Sequence, residues 1–438
     1  MRLSYLRELT EYPTGSRRMR ILIMAVLASL IVSYEGQIAP AVPLLLADLD
    51  LSLVDYGAIS AIGLVAGALA GMLGGRLTDT FGRVRLLVPV LLITALMCYG
   101  LTLVTTAAEL LVARAALAIV DGVAVAATAG LVRDFSPRMG RAQAFAFWTW
   151  GPVGANFMAA AIAGLTLHLF DNSWRSQFVI MGTISLVVSL VIAVNIVDLS
   201  PQVRARIQQT EQCALSAAHE PGPMRMSELF RHRTVWAHVV GISVWLVLYL
   251  TLSLFGQTML VETFGLTAAA ASGVMSCYWI VNLGAVVLMG RLSDRLQLRK
   301  PFAVGGTLVT ALLTGVLVVL IGSGSTALWQ LVFIGALLGA GMGAAYAPWM
   351  ANFSENTEDI DPRLQGSAWG VFSFLTRIVA MLVVLTMPRV VAAAGWSSWL
   401  AVALVCLLVF LPLTLLFRGP WRRAAPGVGP AANREVRT

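Results

Sequence analysis

The sequence predicts an all-α membrane protein with twelve transmembrane helices in two pseudo-symmetric six-helix bundles. Its 438 residues are 58% apolar and only 12% charged, with a mean hydropathy of +0.82. Soluble domains carry about 25% charged residues, so this chain lacks the polar side chains to cover a water-soluble globule. A repeat of apolar runs, each long enough to cross a bilayer, and a weak similarity between the two halves complete the prediction.

A membrane span needs roughly 20 mostly apolar residues, and twelve runs in the sequence meet that length. Span 1 has a feature of its own, because Pro40 and Pro43 remove backbone donors from its second half and predict a bend or a local opening there. The predicted spans cover residues 21–46, 54–74, 86–104, 109–132, 142–167, 176–197, 235–260, 268–290, 301–322, 327–352, 366–392 and 396–417.

Basic residues orient these spans. Of the 30 lysine and arginine residues, nearly all fall in alternate connectors and at the two ends of the chain. The exceptions are Arg175 and Arg389, which fall in connectors on the other side, and Arg114 and Arg377, which fall within spans. By the positive-inside rule both termini are cytoplasmic. The predicted segments are an arm (1–20), a first bundle (21–197), a cytoplasmic linker without apolar periodicity (198–234), a second bundle (235–417) and a tail (418–438).

The two halves share short motifs. GGRLTDTFGR at 74–83 corresponds to MGRLSDRLQL at 289–298, and PRMGRA at 137–142 corresponds to PRLQGS at 362–367. Parallel repeats of this kind are typical of a duplicated transporter fold.

The pattern Gly75-x-x-x-Asp79-x-x-Gly82-Arg83 follows span 2 and resembles the loop 2–3 signature of the major facilitator superfamily. Span 4 adds an arginine, Arg114, twenty residues before an Asp-x-x-Pro turn, as in that family. The resemblance implies a secondary transporter that works by alternating access. In it, Gly75 permits close helix approach and Gly82 adopts a positive φ. The implied gating residues are Gly75, Asp79, Gly82, Arg83, Arg133, Asp294 and Arg295, although Gln297 replaces the second glycine in the repeat copy.

A partial resemblance to drug antiporters leaves an alternative open. The Trp150–Gly154 stretch of span 5 partly matches their signature, although this chain has Ala118 where they have a glycine four residues after the span 4 arginine. A drug/proton antiporter for multidrug efflux therefore remains a second hypothesis, and a non-transporting membrane sensor a third.

Charges within spans carry the functional prediction, because an ionisable side chain in a membrane is costly and needs a use. Burial favours the neutral form of a carboxyl group, which suits a group that takes up and releases protons. We therefore predict that Glu35 carries a proton, and that Arg114 and Asp121, nearly two turns apart on one face of span 4, exchange partners with it.

A small organic anion such as a carboxylate is the predicted substrate, because Arg377 of span 11 has no acidic partner on a nearby span of its half. The family fold lines a central cavity with spans 1, 4, 7 and 10, which adds polar and aromatic side chains to the candidate substrate site. His168 and His238 lie near span ends and are interpreted as interfacial. The predicted substrate-binding residues are Arg377, Gln37, Tyr249, Trp279, Asn282, Tyr346 and Trp349.

Several other functions receive no support from the sequence. The excess of basic residues lies in connectors between spans, so we expect no nucleic-acid partner. The chain has no HExxH, GxSxG or P-loop motif and no metal-ligand spacing of its four cysteines, so we expect no enzyme, cofactor or metal. The expected protein is a monomeric transporter of the bacterial inner membrane, with protons, a small molecule and lipid as its partners.

Overall fold

The computed structural model describes residues 4–136, 148, 150–218, 231–321, 326–360 and 365–422. Long apolar helices dominate it, and eleven helices of the described chain are long and apolar enough to span a membrane. Large apolar side chains lie exposed on these helices, as lipid-facing side chains do, among them Leu69, Met72, Leu73, Val112, Leu312 and Val319.

The first half of the chain opens with strand β1 (Glu8–Leu9) and continues in helices α1 to α7. Their bounds are α1 Gly15–Gly36, α2 Val42–Asp48, α3 Leu53–Phe81, α4 Arg83–Leu101, α5 Ala107–Phe135, α6 Trp150–Thr166 and α7 Trp174–Asn195. Short 3-10 turns cover Ser4–Leu6 and Leu167–Phe170.

The second half begins after β2 (Asp198–Leu199) and α8 (Pro201–Ala218). It contains α9 Arg233–Phe264, α10 Ala268–Leu296, α11 Lys300–Ile321, α12 Leu328–Glu358 and α13 Gln365–Leu413, followed by a 3-10 turn at Thr414–Leu416. Helix α13 is interrupted by Gly395, whose φ of 79° and ψ of 170° are not helical, so two helices meet at this residue.

Local sequence signals explain several helix ends. Ser52 caps α3, because its hydroxyl accepts from the Asp55 N–H at 3.1 Å while the Asp55 carboxylate accepts from the Ser52 N–H at 3.3 Å. The predicted break in span 1 is present: α1 ends at Gly36, and α2 starts at Val42 with Pro43 in its first turn. Proline fits there because the first turn of a helix has no use for its missing N–H.

The predicted linker contains regular structure. Although residues 198–234 lack an apolar repeat, α8 occupies Pro201–Ala218 and β2 pairs in parallel with β1 of the N-terminal arm. Helix propensity explains α8, because Pro201 begins it and the segment is rich in Ala, Gln and Arg, which favour helices without an apolar repeat.

The described residues group into two compact units. The first comprises Met1–Pro221, Ser253–Ser276 and Val384–Ala392, and the second comprises Gly222–Leu252, Cys277–Val383 and Ala393–Thr438. In the first unit α1 packs against α5, α6 and α7, α3 packs against α5, and α4 packs against α5 and α7. In the second unit α11 packs against α12.

Glycines permit the closest of these helix crossings. In the first unit a Cβ on Gly122 of α5 would collide with the Gly67 carbonyl oxygen and the Gly71 nitrogen of α3. In the same unit a Cβ on Gly151 of α6 would lie 2.6 Å from the Ser29 hydroxyl of α1. The glycines of the Trp150–Gly154 stretch therefore allow α6 to pack tightly on α1.

Candidate transport site

Glu35 is completely buried in the last turn of α1. Neither of its carboxylate oxygens has a hydrogen-bond partner among the described residues. A buried carboxyl group without a partner is costly to ionise, so this position suits a group that binds a proton.

The side chains near the Glu35 carboxylate come from α4 and α7. They are the hydroxyls of Thr94 and Ser185, and Cys98 of α4 also lies within electrostatic range. Thr94 already donates to the Leu91 carbonyl at 3.0 Å. The carboxylate of Glu35 thus faces the interior of the first unit.

Arg114 and Asp121 of α5 approach the backbone of α1 beside Glu35. The Arg114 guanidinium donates to the Gly36 carbonyl oxygen at 3.4 Å, and a Cβ on Gly36 would lie 3.9 Å from Asp121 Oδ2. No ion pair within 4.0 Å joins Arg114 to either acid in the described part of the chain. The three residues lie together, as the spacing predicts, but Arg114 contacts backbone where a carboxylate was expected.

Gln37 lies just beyond α1 and lines a narrow cavity of the first unit. The other polar side chains at this cavity are Tyr34 and Gln177, and Phe178 and Met181 supply apolar wall. The Gln177 amide donates to the Thr166 hydroxyl at 3.1 Å, whereas Gln37 has no side-chain hydrogen bond to the described residues.

The predicted aromatic residues of the second unit form two groups. Tyr249 meets Trp279 edge to face with ring centroids 5.5 Å apart. Tyr346 stacks between Trp245 and Trp349, with centroids 5.9 Å from each. Tyr249 and Tyr346 remain half-buried, while Trp279 and Trp349 are buried.

Asn282 is used in helix packing. Its side-chain amide donates to the Gly339 carbonyl at 3.1 Å, where α10 and α12 cross so closely that a Cβ on Gly339 would collide with the Tyr278 carbonyl oxygen. A buried amide that satisfies a backbone carbonyl stabilises the crossing.

Arg377 is an exposed side chain of α13. Within the described residues it has neither a hydrogen bond nor an ion pair. An arginine in an apolar helix without an acidic partner retains its full capacity to bind an anion.

His238, which lies near the end of a predicted span, is enclosed by protein side chains of the second unit. It is fully buried near the start of α9, and its ring stacks on Phe417 at a centroid distance of 3.8 Å. Phe417 comes from the segment that follows α13, a distant part of the chain, so no local pattern around His238 indicates the contact.

A network of charges occupies the ends of α4 and α5 in the first unit. Arg83 is only 1% exposed and pairs with Asp134 at 2.5 Å. Arg204 of α8 joins the network with contacts of 3.1 Å to Asp134 and 2.8 Å to Asp198, and Asp198 accepts from the Val84 N–H at 3.1 Å. Sequence reasoning missed Asp198 and Arg204 because they lie in the linker. Asp79 was predicted to take part in the gate, and its side chain lies outside the described part of the chain.

The second unit holds a related network. Arg299 pairs with Asp294 at 2.5 Å and with Glu355 at 2.8 Å, whereas Arg295 is exposed without such a contact in the described chain. Burial alone would lower the pKa of Arg299, but its hydrogen bonds to Glu355 and Asp294 raise it above the ordinary value. In each half, an arginine immediately before or at the start of one helix thus pairs with an acid near the end of the next.

The glycines of the motif behave differently from one another. Gly82 has a φ of 93°, and Gln297 at the corresponding position of the repeat has a φ of 55°, so both positions have a positive φ although only the first is glycine. Gly75 does not permit a close helix approach, because nothing lies within 4 Å of a Cβ placed there. The close approach is made one residue earlier, where a Cβ on Gly74 would lie 2.8 Å from the Val123 Cα.

Comparison with known proteins agrees with this architecture. A family model described as Major Facilitator Superfamily matches residues 21–384 and 257–438. The chain belongs to the Major Facilitator Superfamily. It is accordingly a multi-pass membrane protein of a family of secondary transporters, which are not enzymes.

The individual proteins that the chain resembles share low sequence identity with it. The chain is similar to the alpha-ketoglutarate permease of Escherichia coli K12, with 24% identity over 278 residues that cover 58% of this chain and 60% of the permease. The matched region thus spans less than two thirds of that relative. Among solved structures, a D-xylose-proton symporter has a TM-score of 0.70 at 17% identity, covering 92% of this chain and 99% of that one. An inward-facing bacterial homologue of the human lysosomal transporter Spinster has a TM-score of 0.67 at 17% identity, with 95% and 100% covered.

Proposed function

We propose that this transporter couples proton movement to the uptake of a small organic anion, most simply a carboxylate, by alternating access. The carrying observation is Glu35, a buried carboxyl group in an apolar helix that has no hydrogen-bond partner among the described residues. The ionised form of such a group is costly inside a membrane, and binding a proton removes the charge and with it the cost. Asp121 and Arg114 adjust the electrostatic potential around it.

The anionic substrate is supported by Arg377 and by one relative. Arg377 is a cation without an acidic partner in the described chain, and alpha-ketoglutarate, after which the similar permease is named, is a dicarboxylate. Tyr249, Tyr346, Trp279, Trp349, Gln37 and Asn282 complete the proposed substrate-binding set. The charged networks around Arg83 and Asp294, together with Gly75, Asp79, Gly82, Arg133 and Arg295, are the proposed cytoplasmic gate.

The proposed topology has twelve spans in two six-helix bundles, with α13 counted as two spans on either side of Gly395. Both termini lie in the cytoplasm, the location is the inner membrane of a bacterium, and the working unit is a monomer. This assignment follows the basic residues of the alternate connectors.

The test is uptake into proteoliposomes under an imposed pH gradient, with radiolabelled mono- and dicarboxylates, neutral sugars and cationic drugs presented in parallel. We expect accumulation of a carboxylate when the lumen is alkaline, collapsing on addition of a protonophore. Accumulation of cationic drugs in exchange for protons would instead establish the antiporter.

A further inference from the structure

Helix α7 carries two buried serines one turn apart. Ser185 and Ser189 are both fully buried, and neither hydroxyl has a hydrogen-bond partner among the described residues. Several hydroxyls of the long helices donate to the backbone carbonyl of the preceding turn, as Thr183 does to Val179 at 2.8 Å. A buried hydroxyl that gives up this bond is costly.

Of these two serines, Ser185 lies near Glu35, on a helix that packs against α1. Thr94 of α4 also lies near the carboxylate, but its hydroxyl already donates to the Leu91 carbonyl. Within the described part of the first unit, Ser185 is therefore a buried hydroxyl without a hydrogen-bond partner, near a buried carboxylate that also has none.

We propose that Ser185 is a positioning residue for the transported proton, and that its hydroxyl pairs with Glu35 in both protonation states. A serine hydroxyl is both donor and acceptor. It donates to the ionised carboxylate, and when a proton binds to a carboxylate oxygen, the new O–H donates to Ser185 Oγ while the hydroxyl hydrogen turns away. The inference rests on the proposed function of Glu35 as the proton carrier.

Other charged or titratable groups around Glu35 come from neighbouring helices. Helix α5 supplies Arg114 and Asp121, and α4 supplies Cys98. Helix α6 has no titratable residue in Trp150–Thr166, and the only one in α7, Arg175, is bonded to Asp48. Ser185 is thus the group on α7 that can pair with Glu35, and its hydrogen bond to the ionised carboxylate is stronger than its bond to the protonated group.

The experiment is infrared difference spectroscopy of the full-length protein in lipid, titrated without substrate. The carbonyl stretch of a protonated carboxyl group is followed with pH in the wild type, Ser185→Ala and Ser189→Ala, and Glu35→Gln identifies the band. Because the Ser185 hydroxyl stabilises the ionised form, Ser185→Ala should move the midpoint of the band to higher pH by on the order of one unit. Ser189→Ala should leave it unchanged, and Ser185→Thr, which keeps the hydroxyl, should restore it.

An unchanged midpoint in Ser185→Ala, or an equal shift in Ser189→Ala, overturns the inference. Should Ser185→Ala fail to fold, Ser185→Cys supplies a weaker donor, and a midpoint identical to the wild type contradicts the inference equally. The spectroscopic result is independent of transport. If the Glu35 band responds to Ser185 while Glu35→Gln still accumulates substrate, the proposed carrier role fails and the hydrogen bond stands.

Discussion

At the scale of a single residue, Arg377 is the main support for the proposal that the substrate is an anion. If the substrate is a carboxylate, Arg377→Ala should weaken its binding about 10- to 100-fold, because a charge-assisted hydrogen bond contributes roughly 1.5–3 kcal/mol. Arg389→Ala is the matched control, since Arg389 lies on the same helix but donates to the Leu385 carbonyl. Equilibrium binding measures both. Full affinity in Arg377→Ala would remove the basis for an anion.

Asp48, which lies outside the predicted spans, provides a prediction about how stability depends on pH. The Trp174 indole N–H and the Arg175 guanidinium, at 2.9 and 2.6 Å, hold the pKa of Asp48 below its ordinary value. A lowered folded-state pKa gives stability that is present above the unfolded value, near 3.9, and is lost as the pH falls through the folded value. The difference in thermal midpoint between the wild type and Asp48→Asn should therefore stay constant from about pH 8 to 5 and shrink below about pH 4. A difference that disappears near neutral pH would contradict this assignment.

The candidate residues could be predicted from the sequence more readily than their orientations. Glu35, Arg114 and Asp121 stand out because charge is rare in apolar spans. That Glu35 lies near Ser185 of α7, and that Arg114 contacts the Gly36 carbonyl, depends on how far each helix is rotated. Tertiary packing sets that rotation, which cannot be predicted from the pattern of residues along the sequence.

At the scale of the elements, the crossing of α3 and α5 depends on Gly122. A larger side chain there meets backbone atoms of Gly67 and Gly71, which cannot move aside as a flexible side chain can. Gly122→Leu should lower stability by about 1–3 kcal/mol. Gly100→Leu is the control, because open space surrounds that position. Thermal unfolding in detergent compares the two, and equal stability in both variants would show that the crossing tolerates the added volume.

The Arg83–Asp134–Arg204 network makes a second prediction at this scale. Asp134→Asn removes the carboxylate that Arg83 and Arg204 share. Breaking a fully buried ion pair costs about 3–5 kcal/mol, so we expect a lower thermal midpoint and slower uptake. Glu8→Gln removes only the exposed pair with Arg85 at 3.0 Å and should change stability by less than about 1 kcal/mol. If both variants transport at the wild-type rate, the network is structural and not part of a gate.

Element positions were largely predictable, because a bilayer demands about 20 apolar residues in each span and prolines mark the break after α1. The helix in the linker was not predictable from apolar periodicity, because α8 forms from helix propensity without an apolar repeat. Gly75 was assigned the close helix contact that Gly74 makes. Both glycines occupy the same motif, and only the packed helix shows which one faces its neighbour.

At the scale of the whole molecule, the central claim is that a proton bound at Glu35 drives accumulation. We expect Asp121 to adjust the proton affinity of Glu35 and not to carry the proton itself, because it lies beside the backbone of α1 at Gly36. Asp121→Asn should therefore shift the pH optimum of uptake while accumulation persists. Loss of accumulation in Asp121→Asn would make the two acids a shared carrier.

The most direct test compares gradient-driven accumulation with substrate counterflow in Glu35→Gln proteoliposomes over a pH series. The amide imitates a permanently protonated carboxyl group, so counterflow, which needs no net proton movement, should continue while accumulation is abolished. Glu109→Gln is the control, because Glu109 is an exposed carboxylate in the first turn of α5 and its loss should preserve both activities. If Glu35→Gln still concentrates substrate on a proton gradient, Glu35 is not the carrier and the central claim is wrong.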